Sequence, residues 1–167
     1  APVYGNLTYT YNQIGNMLTN SGLGNYAYPN PGSAHPHAAT SAGSYGYEYD
    51  NNGNMTRVTY NGQTDKTITW TYDNKPSSIN STSFTYDYAG KRVKKVVGAL
   101  TTYYFDPLYE CTGVTCSSYI FVNGIRIAKN EGGPVRYFHK DHIQSTSIES
   151  DLNGGSAQYC RYKPYGE

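Results

Sequence analysis

The sequence predicts an all-β protein built from successive antiparallel β-hairpins, and three observations carry that expectation. Large residues alternate with small polar ones, as in "TITWTY" (67–72) and "SFTYDY" (83–88), the period of a strand with one buried face. Turn-forming Asn-Gly pairs recur at 52/53, 61/62, 123/124 and 153/154, a dipeptide that accepts the positive φ angles of tight hairpin turns. No segment sustains an apolar period of 3.6 residues, so helix content is expected to be close to nil.

Composition narrows the kind of sheet. Tyrosines are 20 of 167 residues, about 12%; taken from the 37% apolar total they leave about 25% for every other apolar residue. That is thin for a compact domain, which is usually near half apolar. Any core is therefore expected to be largely tyrosine. Each phenol needs water or a polar partner, which suits a thin layer with one wet side. Thirteen basic and twelve acidic residues give a net charge of +1 without runs of one sign, which argues against a nucleic-acid partner or an anionic membrane surface. No apolar stretch approaches the roughly 20 residues of a membrane span. The opening "APVYGNLTYT" has neither a basic region nor an apolar core of a secretion signal.

In chain order, the first element is "YTYNQIGNMLT" (9–19), with Tyr9 and Tyr11 on one side of a strand and Gly15 in the turn. Residues 22–44, with three prolines and many small residues, read as an irregular insertion between hairpins. A linker between two domains is the alternative; similar motifs on both sides favour the insertion. "YEYDNNGNMTR" (47–57) repeats the first element through Tyr47, Tyr49, Asp50 and Gly53. "WTYDNKPSSIN" (70–80) and "FTYDYAGKRVK" (84–94) align through Trp70, Tyr72 and Asp73, and through Phe84, Tyr86, Asp87 and Gly90. In the strands 67–72 and 83–88, Ile68, Trp70 and Tyr72 share one face, as do Phe84, Tyr86 and Tyr88. "SSYIFVNGIRIAKN" (117–130) reads as two strands about Asn123-Gly124. Looser copies are "YYFDPLYE" (103–110), "RYFHKDHIQST" (136–146) and "YCRYKPYGE" (159–167). In each full copy the alternating aromatics make a strand, the Asp or Asn side chain folds onto nearby backbone N–H groups, and Gly supplies the positive φ that reverses the chain. One hairpin cannot bury its own face, so neighbours must share one.

These motifs resemble the RHS/YD-repeat proteins of bacteria, relatives of the teneurin shell, whose repeat Y-x-Y-D-x-x-G-x-hydrophobic-T is matched best by Tyr47, Tyr49, Asp50, Gly53, Met55 and Thr56. Near the C-terminus, "YFHKDHIQST", "DLNGG" and "YKPYGE" are similar to the family's Y-x-H-x-D-H-x-G-S, D-x-x-G and Y-x-P-x-G-E signatures, through His139, Asp141, His142, Pro164 and Gly166. Residues 136–167 thus look like the end of an RHS core, and 1–167 like one stretch of repeats. Gln144 stands where Gly is usual, Lys163 where Asp often precedes the Pro, and Asn12 where the first repeat would carry Asp. The resemblance implies a ribbon that is a segment of a larger coiled shell, enclosing a C-terminal and often toxic polypeptide in a secreted or surface-exposed bacterial protein. In several members an aspartyl self-cleavage segment lies downstream; what carries over here is the wall and not the protease.

Candidate chemistry is sparse. His139 and His142 flank Asp141 as H-x-x-H, but in an extended strand His142 points away from the other two, so hydrogen bonding within a hairpin is expected rather than a metal. His35 and His37 sit in the Pro-rich "AHPHA", where a metal is equally disfavoured. No serine lies in a G-x-S-x-G elbow, no phosphate-binding glycine loop is present, and the aspartates are accounted for by turns. No catalysis and no cofactor are expected. Cys111 and Cys116 lie across Thr-Gly-Val-Thr, a spacing that suits a cross-strand disulfide at a hairpin tip, with two reduced thiols in a loop as the alternative. Cys160 reads as a small buried residue. The expected partners are the rest of a longer chain, or neighbouring copies paired through sheet edges. A carbohydrate-binding or adhesive surface, and a subunit of a repetitive extracellular assembly, are the alternative functions.

Overall fold

The structure, a computed structural model, describes residues 5–162; Pro164 and Gly166 lie outside them. The described residues form seventeen strands, all paired antiparallel, and no helix. No helix is therefore long and apolar enough to cross a membrane, a statement that does not bear on a β-barrel. The chain divides into two compact units, 1–83 and 84–167.

In the first unit each strand pairs with the next: β1 (Tyr9–Tyr11), β2 (Met17–Asn20), β3 (Gly24–Ala27), β4 (Ser41–Ala42), β5 (Tyr45–Tyr49), β6 (Met55–Tyr60), β7 (Gln63–Trp70) and β8 (Pro76–Ile79). The opening of β9 (Thr82–Tyr86) pairs back onto β8 through Ser83 and Thr82. In the second unit the meander runs through β10 (Arg92–Val97), β11 (Leu100–Asp106), β12 (Tyr109–Thr112), β13 (Thr115–Val122) and β14 (Ile125–Asn130). It ends with β15 (Arg136–Lys140), β16 (Thr146–Ser150) and β17 (Ser156–Tyr159).

Three expectations are corrected. Residues 22–44 are not irregular throughout: β3 and β4 pair inside them, which leaves 28–40 as the irregular part. These strands are short and rich in small residues, so periodicity does not reveal them. Second, Tyr72 and Tyr88 do not end strands. β7 stops at Trp70 and β9 at Tyr86, and both tyrosines stand in turns, fully in solvent at 94% and 104% exposure. Third, there is no buried tyrosine core. Among the described residues the buried apolar side chains are Ala42, Val58 and Ala128, outnumbered by buried Asn16, Asn20, Thr102, Ser117 and Ser150. Other tyrosines, such as Tyr26, Tyr45, Tyr47, Tyr49 and Tyr86, are half-buried in the strands, and the Tyr45 ring meets that of exposed Tyr60 at a tilt with centroids 4.9 Å apart.

The two turn types have different origins. Two-residue turns at 43–44, 61–62, 80–81, 98–99, 113–114 and 123–124 each open with a residue at positive φ: Gly43, Asn61, Asn80, Gly98, Gly113 and Asn123. At 61–62 and 123–124 the following Gly is also positive, the type I′ pattern that matches strand twist. Five-residue turns close the other class of hairpin. On five of them the strand register shifts by one residue just before the turn, at Tyr11, Tyr49, Trp70, Lys140 and Ser150. The returning strand there carries an extra residue, a β-bulge, which increases the local right-handed twist.

Candidate functional site

The five-residue turn is the unit on which the sequence motifs converge, and it occurs six times among the described residues, opening at Asn12, Asp50, Thr71, Asp87, Asp141 and Asp151. In all six, the N–H of the opening residue donates to the carbonyl four residues on, at 2.8–2.9 Å. The N–H of the fourth residue donates back to the opening carbonyl, at 3.0–3.1 Å. The opening side chain then accepts the N–H of the fifth residue: to Asn12 at 2.9 Å, Asp50 at 2.9 Å, Thr71 at 3.2 Å, Asp87 at 2.8 Å, Asp141 at 2.9 Å and Asp151 at 2.8 Å. Asn12, Asp50, Asp141 and Asp151 accept a further N–H from the third residue. The fourth residue is left-handed every time: Gly15, Gly53, Asn74, Gly90, Gln144 and Gly154, with φ between 56° and 85°.

This register places each motif residue. Tyr11, Tyr49 and Tyr86 are the last strand residues before the opening position, and Tyr9, Tyr47 and Phe84 lie two residues earlier. The copy at 70–80 is displaced by two residues from its sequence alignment: Trp70, not Tyr72, is the last strand residue, and Thr71, not Asp73, opens the turn. The displacement follows from Asn74, whose left-handed backbone lies three residues after Thr71. Trp70 donates its indole Nε1–H to the Met55 carbonyl at 2.9 Å and ties β7 to the preceding turn's exit. Asn74 also accepts from the Asn52 and Asn54 amides at 3.2 and 2.7 Å, which holds successive turns side by side.

Asp50 shows the electrostatics of the opening position. Desolvation raises its pKa, but hydrogen bonds from the Asn54 side chain and from the backbone of Asn54, Asn52 and Gly53 outweigh that and hold the carboxyl below its ordinary 3.8.

The histidine block does not assemble. His139 lies on β15 with Nε2 2.7 Å from the Ser150 hydroxyl, while Asp141 and His142 are in the turn rather than on an extended strand, with Asp141 opening it. Among the described residues no three His, Cys, Asp or Glu side chains are grouped to hold a metal ion. His35 and His37 fix the 28–40 segment to two turns. The His37 Nδ1 is 2.7 Å from the side-chain oxygen of buried Asn16, whose amide donates to the Pro36 carbonyl at 2.9 Å. The His35 ring packs on Gly53, where a Cβ would approach it to 3.1 Å. Cys111 and Cys116 face each other on β12 and β13 and are joined by a disulfide next to the Gly113-Val114 turn. Cys160 is a free, half-buried thiol.

A groove that the motif reading missed lies in the second unit. Arg92 sits 4.6 Å above the Tyr104 ring and 5.7 Å from Phe84; Arg126 sits 4.1 Å above Tyr119 and 5.6 Å from Phe121. These are cation–π distances. Tyr119 donates to Glu110 Oε1 at 2.8 Å, and Glu110 is the cross-strand partner of Tyr104. Burial first, and then the bond and charge of Glu110, push the Tyr119 phenol up to about 12 against a smaller opposing effect of Arg126. Both guanidiniums, with Asp87, Asp106 and exposed Phe105, line a cavity of about 710 Å³. The successive pairings from β10 to β14 bring these residues together, and no local spacing announces it.

No family model and no curated protein matches the sequence. Solved structures do match in shape. The complex of TcdB2-TccC3 with Cdc42 shares 15% identity with this chain at a TM-score of 0.56, over 96% of this chain and 10% of that one. A TcdB2-TccC3-TEV structure (15% identity, TM-score 0.49) covers 96% of this chain and 12% of its own. The Tc holotoxin pore of Photorhabdus luminescens (14% identity, TM-score 0.47) covers 96% and 13%. The chain thus spans about a tenth of the length of the chains it matches. The fold shared with the TcdB2-TccC3 structure is all-β, and the antiparallel ribbon of hairpins is the one that the Tyr-Asp motifs predict.

Proposed function

We propose that this chain is a length of wall in an RHS/YD-repeat shell, which in a longer protein encloses a C-terminal, toxin-like polypeptide. The observation that carries the proposal is the sixfold recurrence of one turn, five times with a bulge, among described residues that bury almost no apolar side chains. Bulges at five repeats add twist of the same hand, which supplies what a ribbon needs in order to wind. A sheet with half-buried tyrosines on its faces needs neighbouring turns of the ribbon, or contents, to cover them. In this role the segment binds and shields and carries out no catalytic step. Its partners are the rest of its own chain or adjoining copies, in a secreted or surface-exposed bacterial protein.

Limited proteolysis of the longer protein tests the proposal. The downstream polypeptide is expected to resist added protease while the shell is intact and to be cut once the shell is unfolded. Cleavage at the rate of the free polypeptide overturns it. A carbohydrate-binding surface is the second reading, favoured by the arginine-aromatic groove.

A further inference from the structure

We propose that the groove lined by Arg92, Arg126, Tyr104, Phe105, Asp87 and Asp106 binds a sugar acid, a singly charged pyranose carboxylate of the uronic type. The inference deepens the carbohydrate reading and does not depend on the shell.

Each guanidinium carbon lies over an aromatic ring, 4.6 Å from the centroid for Arg92 on Tyr104 and 4.1 Å for Arg126 on Tyr119. Among the described residues neither Arg92 nor Arg126 makes an ion pair or a hydrogen bond. A planar guanidinium with open donors matches a carboxylate in two parallel hydrogen bonds. The acidic residues narrow the choice further. Lys91, Arg92 and Arg126 are balanced by Asp87, Asp106 and Glu110, so the groove is neutral as a whole. The Asp87 carboxylate has one oxygen engaged by the Lys91 N–H at 2.8 Å, and Asp106 has one engaged by the Leu108 N–H at 2.6 Å. The second oxygen of each is an acceptor for hydroxyls. Phe105, 66% exposed, offers an apolar face to the C–H side of a ring. The cavity of about 710 Å³ falls within the range of roughly 300–1,000 Å³ typical of small-ligand sites. An extended peptide is the poorer candidate. β11, β12 and β13 are each paired on both sides, so the floor has no free edge for strand addition.

Titration of the 167-residue chain with methyl glucuronoside, methyl glucoside, inorganic phosphate and a short oligoglutamate tests this. The glucuronoside alone is expected to bind, and to shift the Arg92 and Arg126 side-chain Nε–H resonances of the unmodified protein. Arg92→Gln and Arg126→Gln are each expected to weaken binding roughly tenfold or more, the loss of one charge-assisted pair. Equal binding of the uncharged glucoside, tighter binding of phosphate or oligoglutamate, or no shift of either arginine resonance at saturating glucuronoside overturns the proposal. The resonance shifts decide the matter even if the variants do not fold.

Discussion

Asp50 and Gln144 occupy the two positions that define the turn, and each makes a prediction at the scale of a single residue. The Asp50 carboxyl is held below its ordinary 3.8 by the N–H groups and the Asn54 amide around it. A depressed folded pKa means that the carboxylate's stabilisation is whole above the unfolded value near 4 and is lost as pH falls through the lower, folded one. Asn12 makes the same two backbone bonds without a charge. Asp50→Asn is therefore expected to keep the turn, to lower stability at neutral pH and to leave it unchanged in acid below the folded pKa, read by urea unfolding at the two pH values. Equal stability of variant and parent at neutral pH would show that the charge of the carboxylate contributes nothing. Gln144 holds φ of 70° in a position that Gly fills in four of the other turns. A side chain in the left-handed region costs about 1–2 kcal/mol, and Gly returns part of that by raising the entropy of the unfolded chain. Gln144→Gly is expected to raise stability by about 0.5–1 kcal/mol in urea unfolding, and a loss would mean that the glutamine side chain has a stabilising role of its own.

Among the elements, the hairpin of β12 and β13 carries the covalent constraint. Cys111 and Cys116 close a loop of few residues, for which loop-closure entropy gives about 2 kcal/mol. Cys111→Ser with Cys116→Ser is expected to lower stability by up to that amount while leaving the fold intact, because the neighbouring Thr112–Thr115 and Glu110–Ser117 pairs and the Gly113 turn remain. Unfolding the double variant alongside the oxidised and reduced parent separates the lost bond from any effect of the serines. Hairpins of this kind are legible in sequence because strand and turn are both local: Asn123-Gly124 and the Cys111–Cys116 spacing announce their turns directly. The 70–80 copy shows the limit of such reading. The letters Tyr72-Asp73 imitate the motif, yet the turn opens at Thr71, since a hydroxyl is acceptor enough and only Asn74 tolerates the left-handed backbone at the required distance. The groove lies beyond local reading altogether. Arg92 and Arg126 are brought together by four successive strand pairings, and no window of sequence contains both.

For the whole molecule, apolar burial is the telling quantity. Among the described residues the buried apolar side chains are only Ala42, Val58 and Ala128. The heat-capacity change of unfolding is then expected to fall below that of a compact protein of equal mass. Calorimetry at several concentrations checks this. A full-sized change at the lowest concentration would contradict it, and one that grows with concentration would mean that copies cover each other's faces. The turns themselves ask for little. A turn that asks only for an acceptor at its first residue and a left-handed backbone at its fourth leaves the second residue without a structural duty. In the Thr71 and Asp87 turns that residue is a tyrosine standing wholly in solvent. Randomised residues at those two positions would be presented outward on a fixed backbone, so each turn is a mounting point for a combinatorial library, and the ribbon is a rack on which several such loops can be displayed.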